Sequence, residues 1–127
     1  MSNSVRILSI SDDDGLRLSR ELLIVNDGFE TESILSNTAV SVSYARSFDI
    51  VMICRSVDPE RAMALIDMLR RYNPEIRILT ISPLEKNMRR SDADIEVAPG
   101  PESVLEAIHQ LSREKRESKR FYETSHP

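Results

Sequence analysis

The chain has 127 residues, of which 40% are hydrophobic and 30% charged, a balance typical of one soluble domain with its own core. Its 17 basic and 21 acidic residues leave a formal charge of −4, so we expect neither nucleic acid nor an anionic membrane as a partner. One cysteine and two histidines exclude an internal disulfide framework and a Cys- or His-rich metal site. The sequence shows neither an apolar run of roughly 20 residues nor a signal-peptide pattern, which predicts a cytoplasmic protein.

Five short apolar runs, rich in β-branched residues, are predicted to form strands. They cover residues 5–11, 29–35, 48–54, 76–81 and 95–98. The third run, from Phe48 to Cys54, is too short for an ordinary helix and is apolar throughout after Asp49. This pattern indicates a central strand that is buried on both of its faces.

Segments with helical spacing separate these strands. Asp12, Asp13 and Asp14 offer an N-cap for the first helix, and Gly28 can take the positive φ that ends it. Asp58 and Pro59 open the clearest helix. The predicted helices cover residues 16–25, 38–46, 59–72, 84–90 and 102–115, and the 38–46 and 84–90 segments are the poorest helix formers among them.

The alternation of strands and helices predicts a three-layer α/β sandwich with a five-stranded parallel sheet. We assign residues 1–117 to this single domain and expect residues 118–127 to form a disordered polar tail. Ligands and chemistry gather at the carboxyl ends of the strands in such sheets. Cys54, which ends the central strand, is therefore the first candidate for a functional residue.

Residues 4–117 resemble the receiver domain of bacterial two-component response regulators, which has a flavodoxin-like (βα)5 fold. The resemblance rests on the strand that ends in Ser11 and Asp12, on the Asp49–Cys54 strand, on Thr80 at a strand end and on Pro99. It places Ser11 and Asp12 at the acidic pair that holds Mg²⁺, or Asp12 and Asp13 if the alignment slips by one residue.

The same resemblance places Cys54 at the phosphoacceptor aspartate, Thr80 at the switch residue and Ala98 at the lysine. Receivers have a cis peptide after that lysine, which makes Ala98-Pro99 a candidate cis bond. A thiol cannot replace the carboxylate toward a hard cation, and Ala98 has no charge to offer a phosphoryl group. We therefore expect a pseudo-receiver that is not phosphorylated on aspartate. We expect no bound metal or cofactor; if a metal were bound, Asp12 and Asp13 would be its ligands.

These expectations imply a stand-alone signalling domain rather than an enzyme. Its partners would be proteins of a signalling pathway, such as a histidine kinase or another regulator, or a second copy in a homodimer. One alternative is a redox sensor centred on Cys54, because Arg55 and the helix that begins near Asp58 could lower the pKa of its thiol, while Asp12 would raise it. A second alternative is a small-ligand-binding flavodoxin-like domain, although no glycine-rich phosphate loop follows the first strand.

Overall fold

A computed structural model of the protein describes residues 5–81 and 93–125, and in the last helix it describes side chains as far as residue 115. Within these ranges the chain forms five strands and four helices. In chain order they are β1 (Arg6–Ile10), α1 (Asp14–Asn26), β2 (Glu30–Ile34), α2 (Val42–Arg46), β3 (Ile50–Ile53), α3 (Pro59–Tyr72), β4 (Arg77–Ile81), β5 (Ile95–Val97) and α4 (Pro101–Ser125).

All five strands pair in parallel, in the spatial order β2-β1-β3-β4-β5. One face of the sheet packs against Ile24 of α1 and against Val104 and Leu111 of α4. The other face packs against Ala45 of α2 and Leu69 of α3. The three-layer sandwich and the five strands predicted from the sequence are therefore confirmed.

Strand β3 is the centre of the core, because it pairs with β1 on one side and with β4 on the other. Its four side chains are fully buried, and they alternate between the two sheet faces. Ile50 and Met52 face α1 and α4, whereas Val51 and Ile53 face α2 and α3. Cys54 follows in the same alternation and belongs to the α1 side.

Capping residues define the helix ends as expected. The Asp13 carboxylate accepts a hydrogen bond from the N–H of Leu16 at 3.0 Å, so Asp13 is the N-cap of α1. Asp58 caps α3 in the same way, with Pro59 in the first helical position. Beyond α1, Gly28 has φ of +98°, a backbone conformation that L residues with a side chain rarely adopt.

The orientation of α1 differs from what its leucines suggest. Leu18, Leu22 and Val25 are exposed, while Arg20 and Ile24 are the buried residues of this helix. At about 100° per residue, Leu22 lies about 160° around the helix from Ile24 and Leu18 about 120°, so both point away from the sheet. The apolar spacing in the sequence therefore marks a surface stripe on α1.

Three other segments differ from expectation or fall outside the structure. Helix α2 starts after Ser41 rather than near residue 38, because Ser36 is held instead by the Asp12 carboxylate. The predicted helix at residues 84–90 lies outside the described residues. Helix α4 runs to Ser125 where we expected a disordered tail from residue 118, and its Lys, Arg and Glu residues are strong helix formers.

In the part of the chain that the structure describes, none of the helices combines the length and apolar character needed to cross a membrane.

The positive φ of Gly28 can be tested with a matched pair of variants. An added Cβ would meet no atom within 4 Å at either Gly28 or Gly100, but only Gly28 has a positive φ. We expect Gly28→Ala to lower the free energy of unfolding by about 1–2 kcal/mol because of backbone strain alone. Gly100→Ala should have a smaller effect, about 0.5–1 kcal/mol, because Gly100 has no positive φ but precedes α4 as its N-cap, a position where alanine is disfavoured. Urea unfolding of both variants measures the difference, and equal effects would contradict the assigned backbone conformation.

Candidate functional site

The carboxyl ends of β1 and β3 meet at position 54, where the resemblance to receivers places the phosphoacceptor. The Cys54 N–H donates to the Ile10 carbonyl oxygen at 2.9 Å, which places Cys54 beside Ser11. Both side chains are fully buried. Asp12 and Asp13 follow in the adjoining turn, so the structure brings four of the predicted site residues together: Ser11, Asp12, Asp13 and Cys54.

The Cys54 thiol lies in a polar environment beneath α1. The guanidinium of Arg20 reaches it from the helix, and the hydroxyls of Ser9 and Ser11 lie beside it on β1 and at the end of that strand. Ser9 Oγ and Arg20 Nη1 are both buried, and neither atom has a hydrogen-bond partner of ordinary geometry among residues 5–81 and 93–115. Arg20 is only 8% exposed, so a nearly buried cation flanks position 54.

Burial dominates the chemistry of this cysteine. Removal from water raises the pKa of the Cys54 thiol above its usual range. The positive charge of Arg20 and the nearby donors on Ser9, Arg20 and Ser11 lower that pKa, but they offset only part of the rise. The thiol is therefore protonated near neutral pH, which is the unreactive form.

Asp12 is held by the loop that follows β2. Its two carboxylate oxygens accept hydrogen bonds from the backbone N–H of Ser36 at 2.8 Å and from the Ser36 hydroxyl at 2.6 Å. The Asp12 N–H donates to the Ser56 hydroxyl at 2.9 Å. Arg61 donates to the Ser36 hydroxyl at 3.5 Å, so a guanidinium also lies near this carboxylate.

These bonds leave a poor donor set for Mg²⁺, the metal that receivers bind. The Asp12 carboxylate accepts hydrogen bonds from Ser36, and the Asp13 carboxylate accepts one from the Leu16 N–H at the start of α1. Cys54 offers a sulfur atom, whereas Mg²⁺ prefers oxygen ligands. The Ser11 hydroxyl is hydrogen-bonded to that of Ser56 at 3.0 Å. Among the residues described, no three His, Cys, Asp or Glu side chains converge as a metal site would require. The residues present do not fit the cation.

Thr80 and Ala98 do not join this cluster. Thr80 lies between Leu79 and Ile81, which share the Cys54 side of the sheet, so its own side chain points to the opposite face. Ala98 follows β5 on the surface. The expected cis bond at Ala98-Pro99 is wrong, because the described peptide bonds are all trans. Trans is the lower-energy isomer of an X–Pro bond by about 0.5–1 kcal/mol, and a loop leading into α4 accommodates it.

Sequence reasoning missed the residues that most strongly define this site. Arg20 was overlooked because the neighbouring leucines suggested a different buried face, although its i, i+4 spacing from Ile24 was a usable signal. We also assigned the cation near Cys54 to Arg55, which is exposed. The contacts of Ser36 and Ser56 span 24 and 45 residues, and no local pattern reveals such pairs.

Solved structures with the same architecture place this geometry in context. A CheY-like response regulator receiver domain protein from Methanospirillum hungatei is 17% identical, with a TM-score of 0.72 over 90% of this chain and 98% of that one. A chemotaxis response regulator from Vibrio cholerae is 16% identical, with a TM-score of 0.68 over 84% and 98%. A protein from Burkholderia pseudomallei, whose name relates it to pilus assembly, is 17% identical, with a TM-score of 0.69 over 89% and 92%. No family model matches the sequence, and neither does any curated protein.

At these identities the likeness concerns the fold. The predicted fold class is confirmed as a flavodoxin-like α/β sandwich of the kind seen in CheY-like receiver domains. The chain spans nearly the whole length of these structures. Its candidate site lies at the carboxyl ends of the strands, where sheets of this type carry their functional groups.

The raised pKa of Cys54 predicts a pH dependence of stability. Below the ordinary thiol pKa of about 8.5, the thiol is protonated in both states and its contribution is constant. Above it, the unfolded chain loses the proton first, so the free energy of unfolding falls as pH rises toward the folded-state pKa. We expect the protein to lose up to about 1.4 kcal/mol per pH unit more than Cys54→Ala in this window.

Urea unfolding from about pH 7 to about pH 10 measures this difference. Burial and, secondarily, Glu32 raise the pKa of Tyr44, with Arg6 opposing them, but Tyr44 titrates in both proteins and cancels in the comparison. Parallel pH profiles for the two proteins would contradict a buried, protonated thiol.

Arg20 provides a second test of the site. In the described ranges no carboxylate forms an ion pair with Arg20, and replacing a buried cation that has no such partner by an apolar residue removes a desolvation cost. We expect Arg20→Met to leave the free energy of unfolding unchanged or to raise it by up to about 4 kcal/mol. The matched control is Arg17→Met, whose guanidinium pairs with Asp14 at 3.0 Å and should contribute about 1 kcal/mol or less. A loss of about 3 kcal/mol or more in Arg20→Met would reveal a stabilising pair instead.

Proposed function

We propose that this chain is a receiver-like signalling domain of a bacterial two-component pathway that acts by binding another protein, without being switched by aspartyl phosphorylation. The observation that carries the proposal is the side chain at position 54, a buried thiol beside Arg20 at the site where the resemblance places the phosphoacceptor. Solved structures with this fold include response regulators, which supports a signalling role.

Phosphoryl transfer to a receiver makes three demands on the protein. It needs an oxygen nucleophile, a divalent cation and a positive group for the phosphoryl oxygens. Cys54 is a protonated thiol, the donor set around Asp12 does not suit Mg²⁺, and Ala98 has no charge. Arg20 is a cation beside position 54, but it lies under α1 with its Nη1 buried. All three requirements fail at one site, which is why aspartyl phosphorylation is excluded from the proposal.

A domain without this chemistry would act through its surface. The partners we propose are a histidine kinase, another regulator of the pathway, or a second copy of the chain, and the place of action is the cytoplasm. Such contacts need no catalytic step, so we propose no enzymatic activity. The role is that of a fixed binding module.

Neither alternative from the sequence gains support from the site. Redox sensing requires an accessible thiol with a lowered pKa, and Cys54 is fully buried with a raised one. For ligand binding, the structure offers an open groove at the end of β2. Its lining is apolar or carries hydroxyl groups, which provides no cation for a phosphate: Ile34, Thr38, Ala39, Val40, Ser41 and Tyr44.

The test is incubation with acetyl phosphate and Mg²⁺, followed by intact-mass analysis. We expect no adduct on the natural sequence. A stoichiometric adduct of one phosphoryl group, stable in acid and labile in base, would overturn the proposal. A receiver that has its phosphoacceptor aspartate serves as the positive control for the reagent.

A gain-of-function variant separates the site from the scaffold. The triple variant Ser11→Asp, Cys54→Asp, Ala98→Lys supplies the three missing groups, with the lysine extending from the surface position after β5, and circular dichroism verifies that it folds. We expect a base-labile adduct in the folded triple variant and none in the Cys54→Asp single variant, because the carboxylate alone lacks both the metal and the lysine. An adduct of equal yield in the single variant would contradict the assigned roles of positions 11 and 98.

A further inference from the structure

Arg20 is a nearly buried cation on the inner side of α1. It is only 8% exposed, and among residues 5–81 and 93–115 its Nη1 has no hydrogen-bond partner and no carboxylate forms an ion pair with it. Burial of an unpaired charge carries a large desolvation cost, so buried cations in proteins are normally paired with an anion. The described part of the chain does not supply that anion for Arg20.

A second buried donor lies next to this cation. The Ser9 hydroxyl is fully buried, and its Oγ has no hydrogen-bond partner in the same ranges. Ser9 lies between Leu8 and Ile10, which face α3, so its own side chain points toward α1. Arg20 and Ser9 both approach the Cys54 sulfur. The two donors therefore converge on one place between α1 and the sheet.

The sheet carries short side chains at this place. Ser9, Ser11 and Cys54 each have a single heavy atom beyond Cβ, and all three lie around the ends of β1 and β3. Further along the same face, Ile7 and Met52 belong to the apolar core. The guanidinium of Arg20 therefore lies over a polar part of the sheet, where a small ligand would meet donors rather than apolar groups.

We propose that Arg20 and Ser9 bind a small monovalent anion, chloride, between α1 and the ends of β1 and β3. Arg20 Nη1 and the Ser9 hydroxyl donate hydrogen bonds to the ion, and the guanidinium balances its charge. The S–H group of Cys54 is a weak third donor beside them. Binding gives the buried cation its counter-charge and gives both donors an acceptor.

Charge and donor number favour chloride over phosphate. One guanidinium neutralises one negative charge, and the next arginine on α1, Arg17, already pairs with Asp14 at 3.0 Å. The acidic turn Asp12–Asp14 follows β1 directly, so a second negative charge on the ligand would be repelled. Phosphate also has four oxygens, more than these donors can satisfy in a buried place. Chloride accepts hydrogen bonds from any direction.

The bound ion would join α1 to the sheet, since it contacts the helix through Arg20 and β1 through Ser9. Only the folded chain brings these donors together, so chloride shifts the equilibrium toward the folded state. The gain in stability expected for Arg20→Met is therefore largest without chloride and shrinks as chloride is added. This site is independent of the proposed function, because acetyl phosphate tests for a covalent adduct and chloride binds reversibly.

Urea unfolding at chloride concentrations from about 5 mM to about 500 mM, with gluconate holding the total salt constant, measures the binding. We expect the folding equilibrium constant to rise about tenfold per tenfold increase in chloride once chloride exceeds its dissociation constant. Arg20→Met should remove this dependence, whereas the matched control Arg17→Met on the same helix should keep it. Ser9→Ala should raise the dissociation constant roughly fivefold, which corresponds to one hydrogen bond of about 1 kcal/mol. A change of less than about twofold for the natural sequence, or an equal response of Arg20→Met, would overturn the proposal.

Bromide locates the ion directly, because it has the charge of chloride and nearly its size, and scatters X-rays anomalously. Crystals grown in bromide should show an anomalous peak in hydrogen-bond contact with Arg20 Nη1 and Ser9 Oγ. Crystals of Arg20→Met grown in the same way should lack this peak. Bromide at surface positions alone would overturn the proposal, even if chloride stabilised the protein.

Discussion

The register of the central strands is fixed by Asp49, which bonds to strands on both sides of β3. Its N–H donates to the Arg6 carbonyl and its carboxylate accepts from the Arg6 N–H, each at 2.9 Å. Its carbonyl accepts from the Arg77 N–H at 3.0 Å. A slip of one residue would turn every side chain of β3 to the opposite face of the sheet. The position of Cys54 beneath α1, and that of Thr80 on the other face, both follow from these bonds.

This register produces a site that is closed by its own hydrogen bonds. The receiver site that these residues resemble is acidic and open to a metal and a phosphoryl group. Here the Asp12 carboxylate accepts two hydrogen bonds from Ser36, and the hydroxyl of Ser11 is hydrogen-bonded to that of Ser56. The cation next to position 54 comes from a helix, through Arg20, rather than from the end of β5. A ligand at Asp12 or Ser11 would therefore compete with hydrogen bonds that these side chains already make within the chain.

How much of this could be predicted depends on how local each feature is. The five strands and the ends of α1 and α3 follow from β-branched runs and from capping residues such as Asp58, which act within a few residues. The face that α1 presents to the sheet is a tertiary property, and its leucines suggested the wrong one. The partners of Asp12 lie on distant loops. The short helix α2 depends on those loops too, since Ser36 is drawn into the site instead of capping it.

The rotation of α1 links the site to the surface. Turning the helix by half a turn would bury Leu18 and Leu22, each worth about 1.5–3 kcal/mol of hydrophobic stabilisation. It would also withdraw Arg20 from Cys54 and break the bond between Glu21 and Ser33. The Asp13 cap and the packing of Ile24 hold the helix in the observed rotation. One helix therefore carries the cation of the pocket on its inner side and the apolar stripe on its outer side, so any contact that moves α1 also moves Arg20 relative to Cys54.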